Sequence, residues 1–239
     1  MIFAAGLGTR LRPLTLNKPK ALVEVGGHAL LELAIRRLKA AGIRQFVVNI
    51  HHFADQIEAF LHEHQNFGCE IALSDERERL LDTGGGLWKA RRHFDADFLV
   101  YNVDVLSDID LIALQQHHRK TKALATLAVR DRPSSRHLLF SREGRLVGWR
   151  HDRTGEERRC RPESAAATLA FSGIHIINPA LFDFMPDGPA VFSIIDTYLT
   201  AGRTERIMGY RHDQDHWLDV GKLPALRQAE DLLPLLPMD

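Results

Sequence analysis

The sequence has 239 residues, 45% hydrophobic and 26% charged, and its 31 Lys and Arg balance 31 Asp and Glu to a formal net charge of zero. This is an ordinary globular composition, long enough for one large domain, and it offers no global field to draw nucleic acid or an anionic membrane. Cys69 and Cys160 are too few for a disulfide framework and form no C-x-x-C pair; with no secretory leader pattern and no long uninterrupted apolar run, a cytoplasmic protein is expected.

The chain opens on a short apolar run, Ile2-Phe3-Ala4-Ala5, which breaks at Gly6 and Gly8 into a loop carrying Arg10, Arg12, Lys18 and Lys20. The strand starts at residue 1 and is expected to be short. Glycines at 6 and 8 let successive amides turn toward one anion, Arg10 offers a planar fork of donors, and Lys20 adds a compact charge. Pro13 and Pro19 stiffen the loop. The pattern is thus a phosphate cradle of neither familiar kind. The third glycine of G-x-G-x-x-G is missing, and no Gly-Lys-Ser or Gly-Lys-Thr occurs.

Residues 22–25 read as extended, Gly26-Gly27 as a turn, and 28–41 as an amphipathic helix stopped by Gly42. A strand at 45–50, a helix at 54–65 and a strand at 69–74 follow. Strand, helix, strand, helix, strand implies parallel strands with right-handed crossovers, whose ligands sit beyond the strands' carboxyl ends. Asp82-Thr83-Gly84-Gly85-Gly86 opens a helix; residues 97–102 form a strong strand ending at Asp104. A helix at 110–119 and a strand at 123–129 complete this part.

From residue 132 the pieces shorten, to 137–141, 146–149 and 168–177, and antiparallel additions are expected. Residues 150–161 hold Arg150, Arg153, Arg158, Arg159 and Arg161 without apolar period, as a solvated loop or hairpin tip does. Residues 193–202 and 223–233 read as helices, 206–210 and 217–220 as extended. The histidine clusters lack metal-binding spacing, and no serine nucleophile elbow is present.

The first loop resembles the signature of the sugar nucleotidyltransferases, A-A-G-x-G-T-R-L-x-P-L-T then P-K-x-L-V, matched from Ala4 to Thr15 and from Pro19 to Val23. The resemblance implies a single domain over 1–239, with a nucleotide-binding half at 1–130 and a sugar-phosphate-binding half at 131–239. The implied fold is α/β: a Rossmann-like three-layer αβα sandwich with a mostly parallel mixed sheet and a small antiparallel addition. No appended hexapeptide-repeat domain is expected after Leu236.

The implied activity is Mg2+-dependent transfer of a nucleotidyl group from an NTP, UTP or GTP, to a sugar 1-phosphate. Asp104 and Asp219, the latter in Trp217-Leu218-Asp219-Val220-Gly221, are the implied metal ligands, since one carboxylate alone holds magnesium weakly. Arg10 and Lys20 are the implied catalytic cations. Nucleotide contacts fall to Ala4, Ala5, Gly6, Gly8, Thr9, Gly84, Gly85 and Asn102, and sugar contacts to Ser172 and Gly173.

Phe171-Ser172-Gly173-Ile174, the L-D-T-G-G-G turn and H-W-x-D-V-G resemble the N-acetylmuramate-1-phosphate uridylyltransferases; mannose or heptose guanylyltransferases are the other resemblance. Val103 departs from the family's usual glycine before the metal aspartate, which leaves base and sugar open. Glu163 is read as a surface residue. The rival class is a non-catalytic nucleotide-sugar binder, which has no need of both carboxylates.

Overall fold

A computed structural model of the protein describes residues 1–188 and 190–238. Along the chain these form β1 (Ile2–Phe3), β2 (Glu24–Val25), β3 (His28–Ala29), α1 (Leu30–Ala40), β4 (Gln45–Ile50), α2 (Ala54–Glu63) and β5 (Glu70–Asp75). They continue as α3 (Asp82–Ala90), β6 (Phe98–Asn102), β7 (Val105–Ser107), α4 (Leu111–Thr121), β8 (Ala125–Arg130), β9 (Arg136–Phe140), β10 (Leu146–His151), β11 (Glu156–Arg159) and β12 (Ala167–Ile177). The last are α5 (Ile194–Ala201), β13 (Ile207–Arg211), β14 (Trp217–Asp219) and α6 (Leu223–Leu232). None of these helices is long and apolar enough to cross a membrane. Two compact units emerge: Met1–Leu80 with Tyr101–Ile109 and Asp215–Asp239, and Leu81–Val100 with Asp110–Gln214.

In the first unit β1 lies between β4 and the end of β6, parallel to both, and β4 pairs with β5, also in parallel. β4 carries the run Phe46-Val47-Val48 and is buried from Phe46 to Ile50, as a strand covered on both faces is, whereas β5, at the end of the strand order, is mostly half-exposed. Helix α1 buries Leu30, Leu31, Leu33, Ala34, Ile35 and Leu38. Truncating one of these leucines to alanine removes transfer energy and leaves a cavity, at a cost of about 2–5 kcal/mol. The helix is more completely enclosed than its amphipathic pattern suggests. Arg37 is buried too, its Nε donating to the Ser107 carbonyl at 3.0 Å, so α1 braces the end of β7.

The expected helix from residue 28 begins instead at Leu30, because His28–Ala29 pairs with Glu24–Val25 as a small hairpin. Gly26 and Gly27 both have positive φ, 57° and 81°, the combination a two-residue hairpin turn needs. Gly42, at φ 88°, follows α1 as a left-handed stop.

In the second unit β12 is the central strand. Its first residues pair with β9 and its later ones with β8, both antiparallel; β8 also holds β13 in parallel, and β9, β10 and β11 continue as a meander. The register with β8 shifts between Phe171 and His175, where Gly173 takes φ 75°, a bulge that re-aims the strand. The arginine-rich segment is a hairpin: Arg158 on β11 lies 4.5 Å from the Trp149 ring and 2.6 Å from Asp196.

Candidate active site

Beyond β1 the chain leaves the sheet and winds through residues 4–23. Gly8 is left-handed, at φ 63°, and its carbonyl accepts from Leu11 N–H at 2.9 Å and Thr15 Oγ1 at 2.8 Å. Leu11, fully buried, pins the short 3-10 turn Thr9–Leu11 to the core and leaves Thr9 and Arg10 exposed. A Cβ on Gly8 would sit 2.9 Å from both Lys20 Cβ and Thr15 Cγ2, so the bare backbone is what lets the Lys20 stem pass. Gly6, by contrast, faces open space.

The carboxylates arrive from opposite ends of the sequence. Asp104 follows β6, and β7 then runs antiparallel to β14, with Asp219 opposite Val105. Val220 N–H donates to the Asp104 carbonyl at 2.8 Å, which locks the two aspartates side by side. Ser107 Oγ donates to the His216 carbonyl at 2.7 Å and Asp108 accepts from His216 N–H at 2.7 Å, closing the other end of the ribbon.

Lys20 Nζ makes an ion pair with Asp104 Oδ2, and Arg10 Nη2 lies 4.0 Å from Asp219 Oδ2. Gly221 N–H donates to Asp219 Oδ1 at 2.7 Å. Burial, reinforced by the Asp104 charge, raises the Asp219 carboxyl above the ordinary aspartate value, against the pull of Lys20 and Arg10. Two neighbouring carboxylates, Asp104 largely buried and Asp219 half-exposed, are a hard-oxygen donor pair fit for a divalent cation. Among the described residues no group of three or more His, Cys, Asp or Glu is placed to hold a metal, so the remaining donors would be phosphate oxygens and water.

The structure brings Gly8, Arg10, Lys20, Asp104 and Asp219 together in the first unit. Ala4 and Ala5 are buried there, and their N–H groups both point to Asn49 Oδ1, at 2.7 and 3.3 Å. These two amides are therefore committed inside the protein, and the first outward-facing position is Gly6. Asn102, half-buried, ends β6 opposite Phe3. Val103 donates its N–H to the Phe3 carbonyl at 3.1 Å and is 3% exposed, so its bulk faces the interior.

In the second unit Gly84 and Gly85 are buried in the first turn of α3 and donate to the Phe192 carbonyl at 2.9 and 3.4 Å. A Cβ would meet the Phe192 ring at 2.4 Å from Gly84, and the Ala190 carbonyl at 2.1 Å from Gly85, which is a packing reason for both glycines. Ser172 is buried with its Oγ 2.7 Å from His212 Nε2, beside the bulge at Gly173. Sequence reasoning did not single out Asn49, Glu76 or the contact made by Gly221. The available signal for Asn49 was a lone amide inside the apolar run Phe46-Val47-Val48-Asn49-Ile50.

Residues 1–234 match the family described as nucleotidyl transferase. The chain is 33% identical to N-acetylmuramate alpha-1-phosphate uridylyltransferase of Caulobacter vibrioides, across 96% of this chain and 94% of that protein. It is 34% identical to the enzyme of the same name from Neisseria meningitidis, across 97% and 96%. Its fold is shared with the inositol-1-phosphate CTP transferase structure from T. maritima, at a TM-score of 0.78 and 16% identity over 98% of this chain and 94% of that one. That likeness, with the strand pairings above, gives the expected three-layer α/β fold around a mixed sheet. The chain belongs to the nucleotidyl transferase family, and is a nucleotidyltransferase acting on sugar 1-phosphates.

Proposed function

We propose that the protein transfers a uridylyl group from UTP to N-acetylmuramate 1-phosphate, with Mg2+ as cofactor. The grouping of Arg10, Lys20, Asp104 and Asp219 around one loop carries the reaction; the match over nearly the whole length of two uridylyltransferases supports the substrates. A phosphate oxygen of the sugar attacks the α-phosphorus of UTP, the bond to the β-phosphate breaks, and pyrophosphate leaves. The nucleophile is already an anion, so the residues work by positioning and charge neutralisation rather than by proton abstraction.

Gly6, Gly8 and Thr9 form the exposed rim against which the triphosphate rests. Arg10, exposed and forked, faces the charge that grows on the departing pyrophosphate. Lys20 holds a non-bridging phosphate oxygen once it is shared between Asp104 and substrate. Asp104 and Asp219 would hold the magnesium ion, which when bound neutralises phosphate charge and aligns the α-phosphate for in-line displacement. Asn102 in the first unit, and Gly84 and Gly85 in the second, are assigned to the nucleotide, Ser172 and Gly173 to the sugar; Ala4 and Ala5, whose amides are held by Asn49, serve the nucleotide only by setting the backbone that leads to Gly6.

The test is pyrophosphate release from UTP or GTP paired with N-acetylmuramate, mannose and glucose 1-phosphates. The highest kcat/KM is expected for UTP with N-acetylmuramate 1-phosphate, lost on chelation and restored by magnesium. A higher value for GTP with mannose 1-phosphate overturns the substrate assignment.

A further inference from the structure

We infer that Asn49 and Glu76 form a buried clamp that sets the start of the nucleotide loop, and that they are positioning residues for the NTP. Asn49 lies on β4 opposite Phe3, the last residue of β1, so its side chain meets the backbone just where β1 leaves the sheet. Its Oδ1 accepts from Ala4 N–H at 2.7 Å and Ala5 N–H at 3.3 Å. Its Nδ2 donates to Glu76 Oε1 at 2.7 Å. Asn49 is 3% exposed and Glu76 1%, in an interior where an unmade hydrogen bond costs about 1–3 kcal/mol.

The chemistry permits one arrangement. Two backbone donors need an acceptor, which must be Oδ1, and this leaves Nδ2 to donate to Glu76 Oε1. Glu76 is itself held: its N–H donates to the Ile50 carbonyl at 2.7 Å, and its carbonyl lies 2.7 Å from His51 Nδ1. Both contacts come from the end of β4 and its next residue, beside Asn49. With the amides of Ala4 and Ala5 turned inward, Gly6 is the first free to face a phosphate, so the clamp decides where the cradle begins.

The clamp rests on the reading that residues 4–10 bind the NTP, and a charge swap tests it. Asn49→Asp keeps the acceptor but sets a second carboxylate against Glu76. Glu76→Gln keeps one acceptor for Nδ2 but brings an amide donor beside it, which weakens the hold on the Asn49 side chain. Combined, N49D/E76Q restores one donor facing one acceptor with the net charge unchanged.

With UTP and N-acetylmuramate 1-phosphate, N49D should raise the KM for UTP about tenfold or more while the KM for the sugar phosphate stays within about twofold. E76Q should raise the UTP KM by about two- to fivefold, and the double variant should recover most of the loss. A wild-type UTP KM in N49D, or a double variant no better than N49D, overturns the clamp. Should N49D fail to fold, a wild-type UTP KM in E76Q does so.

Amide hydrogen exchange over residues 2–12, without substrate, separates this inference from the proposed function. Faster exchange in N49D, restored in the double variant, supports the clamp even if the wild-type protein turns over no uridylyl substrate, a result that removes only the substrate reading. Unchanged exchange in N49D removes the clamp.

Discussion

Gly221→Ala is the sharpest single test of the site. The added Cβ would stand 2.6 Å from Asp219 Oδ1 and 2.7 Å from Arg10 Nη2, both closer than real Cβ atoms come. The backbone at 221 lies outside the left-handed region, so alanine introduces no strain of its own. Relief has to come from the two side chains. Arg10 is exposed and can swing away at small cost; Asp219 is short, and moving it stretches the 2.7 Å bond from Gly221 N–H. That bond is charge-assisted, a class worth about 1.5–3 kcal/mol. If the displacement is felt in the transition state, kcat/KM falls by about 10- to 100-fold.

Gly221 is buried while Arg10 and Asp219 are about half-exposed, so weakening that bond should lower the melting temperature by no more than about 3–12 °C, leaving the protein folded at assay temperature. The assay is coupled pyrophosphate release under saturating and limiting UTP, beside a thermal melt of the same preparation. Wild-type kcat/KM in G221A refutes the reasoning, since it means that neither Arg10 nor Asp219 needs its present place. A loss of activity that tracks unfolding refutes it too.

Asp219→Asn should abolish magnesium-dependent turnover, yet leave the ligand-free protein as stable at neutral pH or more so by up to about 0.5 kcal/mol, because the ionised carboxyl is disfavoured by burial and by Asp104; a markedly lower melting temperature contradicts this. Arg10→Lys keeps the charge and loses the fork, so kcat should drop about tenfold or more with folding intact, measured by pyrophosphate release; unchanged kcat removes Arg10 from the transition state. Gly8→Ala should cost about 1–2 kcal/mol in chemical denaturation, from the positive φ and the 2.9 Å contacts with Lys20 and Thr15; a neutral result contradicts it. His175 is held neutral by burial, its pKa lowered from 6.5 to about 3, so between those values the unfolded chain binds a proton that the native one does not. Stability therefore falls as pH drops through that window, and His175→Gln should flatten the slope of unfolding free energy against pH there; an unchanged slope refutes the assignment.

What could be read from sequence was whatever repeats over several residues. The loop from Ala4 to Val23 announces itself by glycine spacing and charge, and β4, β5, β6 and β12 by their apolar runs; each lies within two residues of its expected place. Short elements were not legible. Val105–Ser107 becomes a strand only because Trp217–Asp219 pairs with it, more than a hundred residues later, and no local propensity encodes that. His28–Ala29 carries no signal separating a hairpin arm from a first helical turn until the φ values of Gly26 and Gly27 are known. Asn49 and Glu76 escaped for a different reason: a single buried amide and a single carboxylate acquire meaning only from each other.

The charge inventory of the site explains how the pair of aspartates is tolerated. Asp104 and Asp219 bring two negative charges to one sheet edge, and Lys20 and Arg10 bring two positive ones, so the four are formally neutral. The compensation is uneven, however. Lys20 is in direct contact with Asp104, with both side chains largely buried, whereas Arg10 stands 4.0 Å from Asp219 and is mostly in water. Solvent screening weakens the second pair, so Arg10 offsets little of the rise that burial and the Asp104 charge impose on the Asp219 carboxyl. Asp219 is thus the more weakly paired carboxylate and Arg10 the more weakly paired cation. In the proposed reaction both would shift when a triphosphate binds, while Lys20 and Asp104 stay fixed as the frame. The residue between the two more weakly paired groups is Gly221, whose lack of a side chain lets them approach. In the proposed reaction that room would let Arg10 follow charge from the triphosphate to the departing pyrophosphate.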